Sequence, residues 1–209
     1  MSPKKIQIQS TITLFLLLFI LLIAKKKLPC VAEDLPAISN STTWRAPPFK
    51  LPPIEEVRTL STLLIRTNKG DLLFKLFSDL APWHVANLKY LSDRGYYKNI
   101  KFHLYLDEYV LQTGDRSGTG KGGVSYALPA EFSDLEIDFG SLVMARRSDI
   151  FNPDRSSHGS QFQIILRPAP HMVGSYTVFG KLLRGENVLR QLRKGDLIKE
   201  LTVFVRNNP

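Results

Sequence analysis

Turn residues cut the chain after residue 60 into apolar stretches too short to make stable helices. Strand-like runs fall at 60–66, 72–77, 102–106, 109–112, 140–145, 161–166, 177–182 and 201–205. Asn68-Lys69-Gly70-Asp71, between the first two, has the chemistry of a hairpin turn. Only two segments read as helix. Pro82 can open one, with Val85, Ala86, Leu88 and Leu91 on its apolar face and Gly95 to end it. Residues 186–192 make a second, shorter one. Many short strands with two helices imply a mainly β fold, an antiparallel barrel whose ends are plugged by helices. At 209 residues and 44% hydrophobic content, the chain holds one well-buried domain plus extensions.

The extensions lie at the amino terminus. Residues 33–56 contain Pro36, Pro47, Pro48, Pro52 and Pro53, which oppose a helix and favour extended, semi-rigid backbone. This stretch reads as a linker. Before it, residues 12–24 are almost unbroken apolar sequence, spanning about 20 Å as a helix against a hydrocarbon core of about 30 Å. A charged start and the small-residue site around Cys30-Val31-Ala32 fit a secretory signal peptide. Lys25-Lys26-Lys27 directly after the run, and its extension to residues 6–24, fit an uncleaved membrane anchor instead. Both readings stay open. The organisation is thus 1–32 signal peptide or signal anchor, 33–56 linker, and 57–209 folded domain. Asn40-Ser41-Thr42 is a glycosylation acceptor pattern and favours the lumen of the secretory pathway, endoplasmic reticulum or Golgi.

The net charge of +9 does not imply nucleic-acid binding. Lys4, Lys5, Lys25, Lys26 and Lys27 precede residue 33, and without them 23 basic side chains face 19 acidic ones. No basic stripe with interleaved aromatics remains. The single cysteine excludes an intramolecular disulfide and a thiolate cluster. His84, His103, His158 and His171 lack zinc-site spacings, so neither metal nor cofactor is expected. Residues 114–123 resemble a phosphate loop only loosely, because Gly120-Lys121 is followed by Gly122 and Asp115 holds an earlier glycine position. They read as a flexible surface loop. Gly159-Ser160-Gln161 lacks the second glycine of a nucleophile elbow. Arg146-Arg147 followed by Asp149 reads most simply as a solvated loop.

The order of the segments says more than any one of them. "GDLLFKLFSDLAPWHVAN" from Gly70 is followed by "FHLYLDEYVLQTGD", "GSLVMA", "GSQFQIIL" and "YTVFGKLLRGENVL". This succession resembles the cyclophilins, prolyl isomerases built on a closed eight-stranded antiparallel barrel capped by two helices. The resemblance covers about residues 60–205. It implies a monomer that binds proline-containing segments. A peptide bond before proline turns against a barrier of about 18–20 kcal/mol, because rotation breaks amide resonance. In the family an arginine directly after a Phe-His pair donates to the prolyl nitrogen. Here Phe102-His103 is followed by Leu104. His103, Gln112 and Arg146 remain as candidate catalytic groups. Gln112, Met144, Ala145 and Gln161 match the family's peptide groove. Tyr109 and Gln163 replace pocket phenylalanines, and Met172 a leucine. His171 replaces a tryptophan, Tyr176 a histidine and Arg146 an asparagine. Two readings follow: a binding domain with weak or no isomerase activity, or an active isomerase in which Arg146 has taken over the donor's role.

Overall fold

A computed structural model of the protein describes residues 45–206. The segment at 6–24, the Asn40 sequon and the first half of the proposed linker lie outside the described residues. Among the described residues no helix is long and apolar enough to cross a membrane.

The strands are β1 (Leu60–Thr67), β2 (Asp71–Leu76), β3 (Ile100–Lys101), β4 (Leu104–Leu106), β5 (Val110–Thr113), β6 (Ala127–Leu128), β7 (Ser141–Met144), β8 (Ser157–His158), β9 (Phe162–Ile165), β10 (Val178–Arg184) and β11 (Leu197–Val205). Helices α1 (Ile54–Thr59), α2 (Pro82–Asp93) and α3 (Glu186–Gln191) accompany them. Nine strands form one antiparallel sheet in the order β3-β11-β1-β2-β10-β7-β9-β5-β4, and β6 pairs separately with β8. The sheet is strongly curled, as expected of the cyclophilin-like barrel, with one strand more than the sequence reading counted.

The extra strand is β3, which lies just before the run read at 102–106, and of that run only Leu104–Leu106 is strand. Phe102 and His103 separate β3 from β4, the two ends of the sheet order. The Phe102 N–H donates to Asp196 O beside β11 (2.9 Å), and the His103 N–H donates to Gln112 O on β5 (3.0 Å). Successive backbone groups therefore turn to opposite ends of the sheet. That two-residue step carries the chain from one edge of the curled sheet to the other.

Inward-facing Leu63, Ile65, Leu72, Phe74, Phe102, Leu111, Leu142, Phe162 and Phe179 are fully buried. α2 covers them with Val85, Leu88 and Leu91, and α3 adds Leu189. The Gly70 turn forms as expected, the Thr67 N–H donating to Gly70 O at 2.9 Å.

The linker reading needs correction. Residues 54–56 are the first turn of α1, which Pro53 precedes as its N-cap residue. A proline at a helix entrance costs little, since the first N–H groups have no intrahelical acceptor. Glu55 and Glu56 in the first turn and Arg58 in the last complement the helix dipole. Val57 is fully buried, and Phe49, Leu51 and Ile54 pack against the core. Phe49 stacks on Tyr90 of α2 with centroids 4.9 Å apart. The packed domain thus begins by residue 49.

Candidate functional site

Adjacent strands carry most of the candidate residues. Pairing sets Leu104 of β4 opposite Gln112 of β5, and Gln112 opposite Gln163 of β9. Directly opposed residues share a sheet face, so these three side chains form one row. Leu104 is half-buried, whereas both glutamines are buried. Gln163 Nε2 donates to Gln112 Oε1 at 3.0 Å, and Gln112 Nε2 donates to Gln161 Oε1 at 2.7 Å. Gln161 Nε2 in turn donates to the carbonyls of Gly120 (3.1 Å) and Gly122 (2.6 Å). Gln163 does bring an amide into an otherwise apolar strand, but its N–H is taken up by Gln112.

The glycine-rich loop that receives this chain of amides lies largely at the surface, as its composition suggests, and is braced from within by a carboxylate. Asp115 is fully buried and organises it. Its carboxylate accepts from Ser117 N (2.8 Å) and Oγ (2.7 Å), Thr119 N (3.1 Å), Gly120 N (2.7 Å) and Gly122 N (3.1 Å). Burial alone would push the Asp115 carboxyl up, but the bonds from Ser117, Gly122 and Gly120 outweigh it and hold it down at about 2. Gly114, at φ +97°, lies so close to the Ser160 carbonyl that a Cβ would collide with it. Asp115 with Ser117, Thr119 and three nearby glycines has the composition of an Asx-type turn, a signal the sequence carried.

His158 was given no role from sequence. Burial pushes its imidazole down to about 3, and Nδ1 accepts from Ser160 N (3.0 Å) and Gln161 N (3.1 Å). A neutral histidine thereby fixes the turn that presents Gln161. His103 is buried too, and burial lowers its pKa against weaker opposing pulls from Asp115 and Gln161. A neutral imidazole cannot replace a guanidinium's charge.

The remaining candidates gather into a second group. Met144, Met172 and Tyr176 are buried, with Ala145 fully so. The hydroxyl of Tyr109 shares a 2.8 Å hydrogen bond with His171 Nε2, and their rings lie 20° from parallel. The Arg167 guanidinium covers the Tyr109 ring at 4.6 Å. Arg146 is not the solvated side chain its neighbourhood suggested, being only 8% exposed. Its Nε donates to Ser175 O (2.9 Å), and Nη1 donates to Arg147 O (3.0 Å) and Asp149 Oδ1 (2.5 Å). The guanidinium lies 4.4 Å over the Tyr176 ring. Among the described residues no group of three or more His, Cys, Asp or Glu is placed to hold a metal ion.

The family model described as "Cyclophilin type peptidyl-prolyl cis-trans isomerase/CLD" matches residues 62–206. The chain belongs to the cyclophilin family. A peptidyl-prolyl cis-trans isomerase of Synechococcus elongatus is 35% identical over 146 residues, covering 69% of this cyclophilin and 97% of the relative. A peptidyl-prolyl cis-trans isomerase-like 2 protein of Gibberella zeae is 34% identical over 145 residues, 66% of this chain but 24% of the relative. This cyclophilin therefore spans about a quarter of that longer protein. A Cryptosporidium parvum cyclophilin type isomerase, solved in the presence of the dipeptide Ala-Pro, superposes with TM-score 0.62 at 34% identity. That match covers 69% of this chain and 99% of the other.

Proposed function

We propose that this cyclophilin binds proline-containing segments in the groove around Gln112, Met144, Ala145, Gln161, Met172 and Tyr176, and isomerises them weakly or not at all. The observation that carries the reading is the row Leu104–Gln112–Gln163. Its edge position holds a hydrocarbon, and its interior is an amide chain already bonded to itself. A missing preorganised donor typically costs about 10²–10³ in rate. The alternative, with Arg146 as donor, loses support. Its Nε and Nη1 are engaged by Ser175, Arg147 and Asp149, and releasing them would leave the Asp149 carboxylate without its shorter partner.

NMR exchange on short X-Pro peptides with the full chain tests this, with an efficient cyclophilin as reference. Exchange at least about tenfold below the reference, with groove resonances still shifted by peptide, is the expected result. Exchange equal to the reference and abolished by Arg146→Ala would establish the relocated donor instead. The reading extends to a luminal protein of the secretory pathway, supported by the apolar run at 12–24 and the Asn40 sequon. Expressed in a eukaryotic cell, the chain should lose mass on glycosidase treatment, and Asn40→Gln should remove that shift. Digestion of the domain by protease added to intact microsomes would exclude the lumen.

A further inference from the structure

The two most exposed large apolar residues of the described protein are neighbours. Ile150 is 86% exposed and Phe151 75%. They sit at the tip of the segment that leaves the groove at Ala145 and returns to it at Gln161. Its base is closed by Ala145 N–H donating to Gln161 O (3.1 Å) and His158 N–H donating to Ala145 O (2.8 Å).

The tip is braced. The Asp149 carboxylate, next to Ile150, joins Arg146 (2.5 Å) and Arg155 (2.8 Å). Beyond the pair, Asn152 Nδ2 donates to Ser156 O (2.8 Å), and Asn152 Oδ1 accepts from Ser156 N (3.2 Å). The Phe151 N–H donates to Ser148 O at 3.0 Å. A loop built this way holds two large apolar side chains in water, where burial against another surface would be favourable. Large exposed apolar residues held together mark a contact surface more than isolated ones do.

What covers the pair follows from Arg146. The same guanidinium that binds Asp149 lies over the ring of Tyr176 in the groove wall. Following those contacts along ordinary bond lengths puts the Ile150 backbone within about 15 Å of the Tyr176 ring. An extended peptide covers that distance in about four to five residues. The charges beside the pair largely cancel, Asp149 being held by Arg146 and Arg155, so there is no cation cluster of the kind that recruits an anionic bilayer. We infer that Ile150 and Phe151 form an accessory subsite for a large apolar side chain within about five residues of the proline of the same bound polypeptide. This rests on the groove reading above. It narrows the client class to segments combining a proline with such a spaced apolar residue.

The test uses the full chain and its Ile150→Ser/Phe151→Ser double variant, titrated by NMR with three kinds of peptide. The first is Ala-Ala-Pro-Ala, too short to reach the tip. The second set carries phenylalanine up to six residues from the proline, on either side. The third carries serine in its place. At one spacing the phenylalanine peptide should bind the parent about fivefold or more tighter than its serine counterpart. The double variant should lose that advantage while binding Ala-Ala-Pro-Ala as the parent does. No advantage at any spacing, or an advantage that survives in the double variant, overturns the subsite. So does parent-only sedimentation with phosphatidylcholine or phosphatidylserine vesicles, or a parent-only dimer, either with peptide affinities unchanged. Failure of Ala-Ala-Pro-Ala to shift any groove resonance in the parent would instead defeat the groove reading itself, and the subsite with it.

Discussion

Leu104 meets Gln112 across β4 and β5 with a half-buried isobutyl group, at the edge strand of the sheet. On the proposed reading, the missing donor is a local loss that one substitution should partly restore. Leu104→Arg would add a planar, permanently charged donor at the partly solvated edge of the row, where burial cost is modest. We expect it to raise X-Pro exchange by about tenfold or more over the parent. It should fall short of an efficient cyclophilin, since Gln163 still occupies the apolar floor. Leu104→Lys should gain less, because an ammonium lacks the guanidinium's fixed fork. Exchange rates of the three proteins at equal concentration decide the matter. No gain from arginine would mean that something other than the missing donor limits the groove.

At the scale of elements, two loop carboxylates hold structure that local sequence does not. α2 has Ala81 at its N-cap and no capping side chain of its own. Glu131, from a loop far along the chain, accepts from Trp83 N (3.0 Å) and His84 N (3.2 Å), and its Oε2 lies 2.5 Å from His84 Nδ1. One carboxylate thus satisfies two open N–H groups and faces the positive end of the helix dipole. Glu131→Ala should cost about 2 kcal/mol in urea denaturation. A loss under a few tenths would mean that water caps the helix equally well.

Asp115 makes the corresponding prediction in pH. Its folded value of about 2 lies below the unfolded carboxyl's ordinary value, so folding favours the ionised form. That contribution is complete above about pH 4 and is lost as pH falls towards about 2. Its size is on the order of 2 kcal/mol. Stability measured from pH 2 to 6 should fall more steeply for the parent than for Asp115→Asn. Parallel curves would remove Asp115 as the source.

At the scale of the whole molecule, segments distant in sequence hold the domain together. Phe102 and His103 link the two edges of the curled sheet, and the arm from residue 49 lies on α2 through Phe49, Trp83 and Tyr90. A chain cut to begin at residue 57 would lose Phe49, Leu51 and Ile54 from the core surface and the first half of α1. It should be less stable than one beginning at residue 45 by about 3 kcal/mol or more, from three partly buried apolar side chains. Thermal denaturation of the two fragments checks this, and equal midpoints would return residues 49–56 to the status of a linker.

Local chemistry was enough for the hairpin at Gly70, for α2 between Pro82 and Gly95, and for most strand positions. Turn propensity, proline placement and apolar period act over a few residues, and the sequence displays them directly. Motif order also carried the family, because five segments in succession constrain one topology. The arm at 49–56 was misread because prolines that oppose a helix from inside favour one from its entrance, and only the burial of Val57 distinguishes the cases. The Tyr109–His171 pair, the Gln163–Gln112–Gln161 chain and the engagement of Arg146 join residues 62, 51, 49 and 29 positions apart. A side chain's partner at such separations is set by how the sheet curls and which loop returns beside it. Residue types therefore named the candidate groove, while the tertiary structure alone decided which of its donors are already engaged, as Gln112, Gln161, Gln163 and Arg146 are.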